Sequence, residues 1–504
     1  MSSLPIVVPI LYQIIGILLM LYGGFILLSV LLFLFHRRRH DWAYVSAQPD
    51  EWPTVTVQLP IYNEPRVAER VVTAVANLDY PADRLQIQVL DDSTDHTTAI
   101  LARHIAHLRR ERGLDISHHR RGERSGYKAG ALASALPYAR GEFIAIFDAD
   151  FVPGPDWLRR TIPALLAHPE LAFVQTRWGH LNRSQNLIAA AQGIALDGHF
   201  VVEQQARSAS GFMQNFNGSG GIWRRRAIEQ AGGWTSDTVT EDLDLSYRAQ
   251  LAGWRGAYID RIEAPAELPP MLTSYKRQQH RWAKGSVQTL RKLARHILRS
   301  NRPLSQRLYA LVHLGGYLMV IPLLLLLVLT LPLALLPEQS VPLPFVGYLS
   351  SFISAAPFLM FALAQYRLDG VTGLRRLWQL PILALFSLGL SPTVAKAALA
   401  GLSQKGGAFN RTPKQGRGSP RLAMPEEAGW PDMLPEAAVF LYAFATLTTI
   451  IVSRQWHLAP LPLLYLLGSG AVFFQSLNEY ALTAGHRPHP TGLTRPVHSG
   501  DGIP

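Results

Sequence analysis

Long apolar runs at both ends of the chain, on either side of a polar middle, limit its fold more than any other feature. The first run, Ile6–Phe35, is longer than the roughly 20 residues that a helix needs to cross a bilayer. Basic residues follow this run in the segment HRRRH (36–40), and Lys and Arg collect on the cytoplasmic side of membrane spans. The run has no basic start and no small-residue cleavage site. It is therefore predicted to be an uncleaved anchor that places the next segment in the cytoplasm.

Apolar segments return after Pro303. One of them, Leu380–Leu402, is interrupted at Ser391 and Pro392. If that segment crossed the membrane, the basic loop 403–421 would lie outside, against the positive-inside tendency. The segment is therefore predicted to lie along the interface, which leaves five spans in all. The four candidate spans after the anchor are Leu311–Leu336, Phe345–Ala364, Ala437–Val452 and Leu458–Phe474.

The polar middle, from about Trp52 to Arg299, alternates strand-like and helix-like segments. Its strand-like segments are TVTVQLPIYNE (54–64), LQIQVLDDSTD (85–95) and EFIAIFDAD (142–150). Strands that alternate with helices indicate crossover connections and a mainly parallel sheet. Ligands of such sheets bind beyond the carboxyl ends of the strands.

Composition excludes several kinds of site. The chain of 504 residues has no cysteine, so disulfides, thiolate metal ligands and cysteine nucleophiles are excluded. Its formal net charge is +12, but the basic residues gather beside the apolar runs without a recognition motif, so nucleic acid is not a predicted partner. The predicted organisation is an anchor (1–40), a cytoplasmic α/β domain (41–305), two transmembrane helices (306–366), an interfacial helix and loop (367–434), two further transmembrane helices (435–478) and a disordered cytoplasmic tail (479–504).

Four acids stand at the ends of predicted strands, namely Asp91, Asp92, Asp148 and Asp150. Carboxylates gathered at one rim repel one another unless cations offset their charge. An Asp-x-Asp pair also arises by chance, where a strand runs into a polar turn. Hard oxygen ligands suit Mg²⁺ or Mn²⁺, and such ions commonly bridge substrate phosphates. Lys128 could contact a diphosphate as a point charge, or it could be a solvated lysine at a helix start.

Two further segments carry candidate site residues. In TVTEDLDLSYRAQLAGW (238–254), Thr240 could cap a helix, and a carboxylate after it could serve as a general base. The alternative is an acidic helix start that complements the helix dipole. In YKRQQHRWAKG (275–285), Gln, Arg and Trp side chains together can hold a sugar phosphate. The alternative there is an amphipathic interfacial helix with a Trp anchor.

Taken in order, these segments resemble the signature of processive family-2 glycosyltransferases. The resemblance is closest to the cellulose-synthase-like mannan and glucan synthases, and it covers roughly Pro53–Lys414. It extends to QLPIYNE, LDDSTD, VQTRWGHLN, FNGSGGIWR and FNRTPK. It implies a GT-A-type α/β fold, a Rossmann-like mixed sheet, in a cytoplasmic domain inserted between transmembrane α-helices.

The resemblance also implies roles for individual residues on the donor side. Asp148 and Asp150 would hold the nucleotide diphosphate through Mg²⁺ or Mn²⁺, and Asp150 would be the direct ligand. The nucleotide sugar would be bound by Pro60, Tyr62, Glu64, Asp92, Lys128 and Asp148.

On the acceptor side, the resemblance implies that Asp242 is the catalytic base. The acceptor and pyrophosphate end would be lined by Glu241, Gln278, Arg281 and Trp282. A gating loop that closes over bound nucleotide would contain Phe409, Arg411, Thr412 and Lys414. The sequence RTPK in that loop favours the mannan-type branch.

The implied function is an inverting transfer of hexose from GDP-mannose or UDP-glucose to a growing β-linked polysaccharide, which is secreted through an inner, plasma or Golgi-type membrane. The expected partners are a nucleotide-sugar donor, a polysaccharide or lipid acceptor, and membrane lipid. An alternative enzyme adds one sugar to a membrane lipid, as ceramide glucosyltransferases do. A different class is a membrane transporter or scaffold that has lost activity.

Overall fold

A seven-stranded mixed sheet forms the centre of the polar middle region. The computed structural model describes residues 4–36, 39, 41–336, 355–407, 416 and 429–484. Within those residues the sheet has the order β3-β2-β1-β4-β6-β5-β7. The strands are β1 Val55–Ile61, β2 Leu85–Asp91, β3 Asp115–Arg120, β4 Phe143–Ile146, β5 Leu171–His180, β6 Gly221–Arg224 and β7 Arg255–Ala266.

The three strands predicted from the sequence are neighbours in the middle of this sheet. β1 pairs in parallel with both β2 and β4, and every residue of β4 is buried. Such continuous apolar strands are typical of a parallel sheet that is covered on both faces. The short strand β6 runs antiparallel to β4 and β5, and this makes the sheet mixed.

Helices pack around the sheet, and further helices precede its first strand and follow its last strand along the chain. A π-helix, Gly198–Gln204, joins α6 to α7. The α-helices are α1 Leu4–Phe35, α2 Ala68–Ala76, α3 Thr97–Arg112, α4 Tyr127–Ala135, α5 Trp157–Ala167, α6 Leu187–Asp197, α7 Gln205–Ala209, α8 Arg225–Gln230, α9 Glu241–Leu251, α10 Leu272–Arg299, α11 Leu304–Gly315, α12 Val320–Ala334, α13 Ala356–Gly373, α14 Leu380–Gly389, α15 Ser391–Ser403, α16 Leu434–Ser453 and α17 Pro460–Ala484.

Several of these helices are suited to a lipid environment. At most 39% of any candidate span is buried inside the protein, so most of the apolar side chains of the spans face outward. The chain is therefore a membrane protein with apolar helices on both flanks of the sheet domain. In the described ranges, the segments long and apolar enough to cross a membrane are Pro5–Phe35, Leu304–Ala334, Leu434–Ser453 and Pro460–Leu482.

One further candidate is a helix pair with a break. Ala356–Gly389 and Ser391–Ser403 are bent by 50° relative to each other, so the break lies next to the interruption seen in the sequence. Half of the sequence-derived span Phe345–Ala364, residues 345–354, lies outside the described residues. The number of crossings and the side on which each loop lies stay predictions.

The long helix α10 joins the sheet domain to the membrane helices. A Cβ atom at Gly285 would lie 2.4 Å from the side chain of Thr240, and one at Gly401 would lie 2.7 Å from the carbonyl oxygen of Lys284. These glycines let the loop before α9 and the helix α15 approach α10 closely. The close contacts fix the position of α10 beside the start of α9.

The first turn of α10 is held by the last membrane helix. The Glu479 carboxylate accepts hydrogen bonds from the backbone nitrogens of Leu272 (2.8 Å) and Thr273 (3.0 Å) and from the Thr273 hydroxyl (2.7 Å). The first N–H groups of a helix have no partner within the helix, and a negative charge there is favourable. Glu479 thus provides from a distant helix the cap that α10 lacks locally.

Candidate active site

A cavity lies beyond the carboxyl ends of β1, β2 and β4, where the sequence predicts a ligand site. Its volume is about 160 Å³. The strand ends are held together by Asn63, whose backbone nitrogen donates to the Ser93 hydroxyl (2.9 Å) and whose side-chain oxygen accepts from the Thr94 nitrogen (2.8 Å). Asn63 has a φ of 52°, a conformation that asparagine tolerates better than most residues.

One side of the cavity combines aromatic and charged groups. The Arg124 guanidinium lies 3.5 Å from the centre of the Tyr62 ring. Asp92 accepts hydrogen bonds from two nitrogens of Arg121, one of them the Nε at 2.9 Å. A flat aromatic and guanidinium surface beside a fixed carboxylate is suited to a nucleotide base and its ribose.

Lys128 lies at the centre of the cavity. Its Nζ donates to Asp148 Oδ1 (2.6 Å) and to the carbonyl oxygen of Gly218 (2.8 Å), and it lies 3.9 Å from Glu241. Burial alone would lower the pKa of Lys128, but the carboxylates of Asp148 and Glu241 outweigh burial and raise that pKa. Lys128 therefore supplies a permanent positive charge between the acids.

Asp242 is the acid in the cavity whose pKa is best placed for proton transfer. Burial, followed by the charge of Glu241, raises the pKa of Asp242 to about 7, although Lys128 and Arg281 oppose this rise. A base with a pKa near the operating pH is best suited to accept a proton. A Cβ atom at Gly218 would lie 2.8 Å from Asp242 Oδ2. Only glycine at position 218 therefore leaves room for the Asp242 carboxylate.

Asp148 and Asp150 both line the cavity. The Asp148 side chain is 36% exposed, whereas Asp150 is only 6% exposed. Among the described residues, no three His, Cys, Asp or Glu side chains converge as a ready metal site. A divalent cation that keeps waters and takes further oxygens from a bound phosphate needs only one or two carboxylates. The two acids fit such a cation.

The opposite side of the cavity is formed by α10. Gln278, Arg281 and Trp282 of that helix line the cavity together with Trp178 and His180 from the end of β5. Gln278, Arg281 and Trp282 are spaced by three and four residues, so they share one helix face. Indole faces next to amide and guanidinium groups are suited to binding a sugar ring.

Comparisons with known proteins agree with this arrangement. Residues 53–285 match the family described as "Glycosyltransferase like family 2". Glucomannan 4-beta-mannosyltransferase 7 from Arabidopsis thaliana is 36% identical to the chain over 401 residues, which are 77% of this chain and 70% of that protein. The chain belongs to glycosyltransferase family 2.

Other similar proteins match the glycosyltransferase over shorter stretches or in fold. Glucomannan 4-beta-mannosyltransferase 1 from Oryza sativa subsp. japonica is 40% identical over 278 residues, which are 53% of each protein. The chain thus spans about half the length of that relative. A solved mannosyltransferase from Pyrobaculum calidifontis, in complex with GDP-mannose and Mn²⁺, superposes with a TM-score of 0.51 at 22% identity and covers 78% of this chain and 99% of that one. This likeness concerns the fold, and it confirms the predicted GT-A-type architecture.

The site residues predicted from the sequence meet around this one cavity of the glycosyltransferase, as far as the structure describes them. Their individual roles stay predictions. The predicted site residues that line the cavity are Pro60, Tyr62, Glu64, Asp92, Lys128, Asp148, Asp150, Glu241, Asp242, Gln278, Arg281 and Trp282.

Two expectations about neighbouring residues were wrong. Asp91 does not join the acids of the cavity, because its carboxylate accepts hydrogen bonds from His118 (3.0 Å) and from the Ser93 nitrogen (2.9 Å). Burial tends to raise the pKa of Asp91, but these hydrogen bonds outweigh burial and lower it to about 2. Thr240 precedes the first residue of α9, but its hydroxyl makes no capping hydrogen bond.

The predicted gating-loop residues Phe409, Arg411, Thr412 and Lys414 lie outside the described residues. On the near side of that stretch, the Gly406 nitrogen donates to the carbonyl oxygen of Asp237 (2.7 Å). Beyond it, the Gly416 nitrogen donates to Glu267 Oε2 (3.3 Å), and Glu267 lines the cavity.

Several cavity residues were missed by the sequence reasoning. Gly218 belongs to the segment FNGSGG, and Trp178 and His180 belong to VQTRWGH. Both segments were noted for their resemblance to the family, so a signal existed, but no individual residue in them was assigned a role. Arg124 was missed because an arginine in a loop gives no local sign that it will stack on Tyr62.

Proposed function

We propose that the glycosyltransferase transfers mannose from GDP-mannose to the hydroxyl of a growing β-linked polysaccharide. The chief support is the single cavity that combines a proton acceptor, Asp242, with a cationic group, Lys128, and a carboxylate pair, Asp148 and Asp150. The names of its plant relatives, glucomannan 4-beta-mannosyltransferases, favour mannose over glucose. UDP-glucose is the second donor to test.

Donor binding involves an exchange of ionic partners. Lys128 Nζ lies 2.6 Å from Asp148 Oδ1. A bound diphosphate would offer its oxygens to Lys128, and Asp148 and Asp150 would hold Mg²⁺ or Mn²⁺. A divalent cation supplies charge stabilisation for the leaving diphosphate.

The transfer is a single displacement at the anomeric carbon. The acceptor hydroxyl oxygen forms a bond to that carbon as the bond to the diphosphate oxygen breaks, and GDP leaves with the bonding electrons. Asp242 takes the hydroxyl proton, and Lys128 stabilises the charge that develops on the leaving group. Attack from the opposite face converts an α-linked donor into a β-linked product.

The acceptor lies against α10 and the end of β5. Trp282 and Trp178 provide indole faces for the sugar rings of the acceptor, and Gln278 provides an amide for its hydroxyls. The apolar helices that pack around α10 give the product a route into the membrane. This arrangement supports a polymer acceptor and a catalytic domain on the cytoplasmic side of a plasma, inner or Golgi-type membrane.

The proposal is tested with membranes that contain the protein. Radiolabelled GDP-mannose and UDP-glucose are offered separately with Mg²⁺, with Mn²⁺ and with a chelator, and the product is digested with a β-mannanase or a β-glucanase. We expect metal-dependent incorporation from GDP-mannose into a mannanase-sensitive polymer. A single-sugar product that extracts into organic solvent would instead identify a lipid glycosyltransferase. Failure to bind either donor would identify an inactive transporter or scaffold.

Asp242→Asn tests the base in the same assay. Replacing a general base lowers the transfer rate by about 10²- to 10⁴-fold, whereas GDP binding should persist because the amide keeps the size of the side chain. Asp79→Asn is the matched control, since the side chain of Asp79 is 61% exposed and pairs with Arg159 outside the cavity. Full turnover by Asp242→Asn would remove this residue from the mechanism.

A further inference from the structure

A second cavity lies beside the active site, on another face of α10. Its volume is about 360 Å³, so it is larger than the active-site cavity. We call it the basic chamber, because it is lined by Lys276, Arg277, His280, Lys284 and Lys396, the last of these from α15. Arg281 lines both cavities and forms the wall between them.

The basic chamber has an excess of positive charge. Lys276 is neutralised locally, since its Nζ lies 2.6 Å from Glu436 Oε2. Among the described residues that line the chamber, Asp432 is the one acid. Burial lowers the pKa of His280, and the nearby charges of Lys284 and Lys396 lower it further. A concave site with this charge favours an anionic ligand.

The basic chamber lies beside the start of a candidate membrane span and close to aromatic side chains. Met433 and Pro435 line it, and the candidate span Leu434–Ser453 begins at this point. Trp430, which is 54% exposed, packs edge-on against Tyr480 near the end of another candidate span. Trp and Tyr side chains collect at the boundary between a membrane and water.

We propose that the basic chamber binds the phosphate of an anionic membrane phospholipid. Basic pockets between membrane helices on the cytoplasmic side are suited to such headgroups. The residues of the chamber and the sugar-binding face of α10 point in different directions around the helix, because Arg277, His280 and Lys284 are offset by more than a quarter of a turn from Gln278 and Trp282. Binding there does not depend on which donor sugar the active site takes.

The test is a lipid titration of the purified full-length protein, followed by native mass spectrometry. Phosphatidylglycerol and phosphatidylcholine of equal chain length are the two probes. The wild-type protein should retain phosphatidylglycerol in preference to phosphatidylcholine. Each basic residue beside an anionic lipid changes its affinity roughly fivefold, so Arg277→Gln with Lys396→Gln should weaken phosphatidylglycerol binding about 25-fold.

Arg295→Gln with Arg299→Gln is the matched control. Both arginines are exposed and lie near the far end of α10, and this pair removes the same charge. We expect wild-type affinity from it. Equal weakening by both pairs, or no weakening by the chamber pair, would contradict the assignment.

Competition by GDP shows whether the basic chamber binds a lipid or the nucleotide released from the active site. This experiment needs only the wild-type protein. Phosphatidylglycerol should stay bound when GDP saturates the active site. If GDP displaces it, the basic chamber receives the released nucleotide and the lipid proposal is wrong. Equal retention of the two phospholipids by the wild-type protein would also overturn it, even where the chamber variants fail to fold.

Discussion

The two sides of the active-site cavity are held in place in different ways. The proposed donor side, formed by the strand ends and by Lys128, is fixed by hydrogen bonds within the sheet domain, such as those of Asn63 with Ser93 and Thr94. The proposed acceptor side is one face of α10, and it is fixed by Glu479 from α17, a candidate membrane helix. The donor side therefore depends on the sheet domain alone, whereas the acceptor side depends on the assembled membrane region.

Replacing Lys128 should have the largest effect and should fall on the donor side. Lys128→Met removes the charge that meets the diphosphate and the leaving group, so we expect a loss of about 10²- to 10³-fold in kcat/KM for the donor and weaker GDP binding. Donor titrations by calorimetry and by initial rates measure both quantities. Arg103→Met removes an exposed cation of α3 and should change neither.

Gly218→Ala should be next in size and should separate catalysis from donor binding. The new Cβ atom would lie 2.8 Å from Asp242 Oδ2, so the base must move and the transfer rate should fall by about 10²-fold. GDP affinity should change little. Gly211→Ala is the control, because Gly211 also has a positive φ, of 72°, but a Cβ atom there meets nothing within 4 Å. Equal losses in the two variants would point to backbone strain instead.

The pH dependence of turnover should follow Asp242. The pKa of Asp242 is raised to about 7, and only its deprotonated form accepts a proton. Turnover should therefore fall about tenfold for each pH unit below 7 and level off above it. Initial rates at saturating donor between pH 5 and 9 measure this profile. A rate that stays flat through pH 6 would contradict the assignment of the base.

Replacing Glu479 should have the smallest effect and should fall on the acceptor side. Glu479→Ala leaves the first N–H groups of α10 without their charged partner, which costs roughly 1.5 to 3 kcal/mol of stability for each such hydrogen bond. We expect a lower unfolding temperature in detergent and a higher KM for an oligosaccharide acceptor, with unchanged GDP affinity. Asn478→Ala, at an exposed neighbouring position, is the control. A change in GDP affinity would mean that the two sides are not independent.

The sequence predicts the donor side of the site better than the acceptor side. β4 is a continuous apolar segment, whereas Thr or Gln alternates with apolar residues in β1 and β2. Acids lie at or just after the ends of β2 and β4, and parallel strands bring such ends to one edge. Successive side chains of a strand point to opposite faces of the sheet. The sequence of β2 therefore does not show which of the adjacent acids Asp91 and Asp92 enters the cavity. This is why Asp91 was wrongly grouped with Asp92. The antiparallel strand β6 was missed because four residues are too few to show a period.

On the acceptor side, the spacing of Gln278, Arg281 and Trp282 predicts their common face on a helix. What holds that helix is not predictable locally. Glu479 and Leu272 are separated by 207 positions along the chain, and an isolated glutamate in an apolar helix gives no sign of its partner. The sequence likewise gives no sign that Gly285 and Gly401 allow close contacts with Thr240 and Lys284.

The bond between Glu479 and α10 also has a consequence for how the protein is made. Domains form from the N-terminal end as the ribosome proceeds, so the half proposed to bind nucleotide can be finished while α17 is still being synthesised. The sugar-accepting half gains its anchor only when that helix has been inserted. We therefore expect an unfinished chain to hold nucleotide before it can extend a glycan, so that polymerisation starts only in fully inserted molecules.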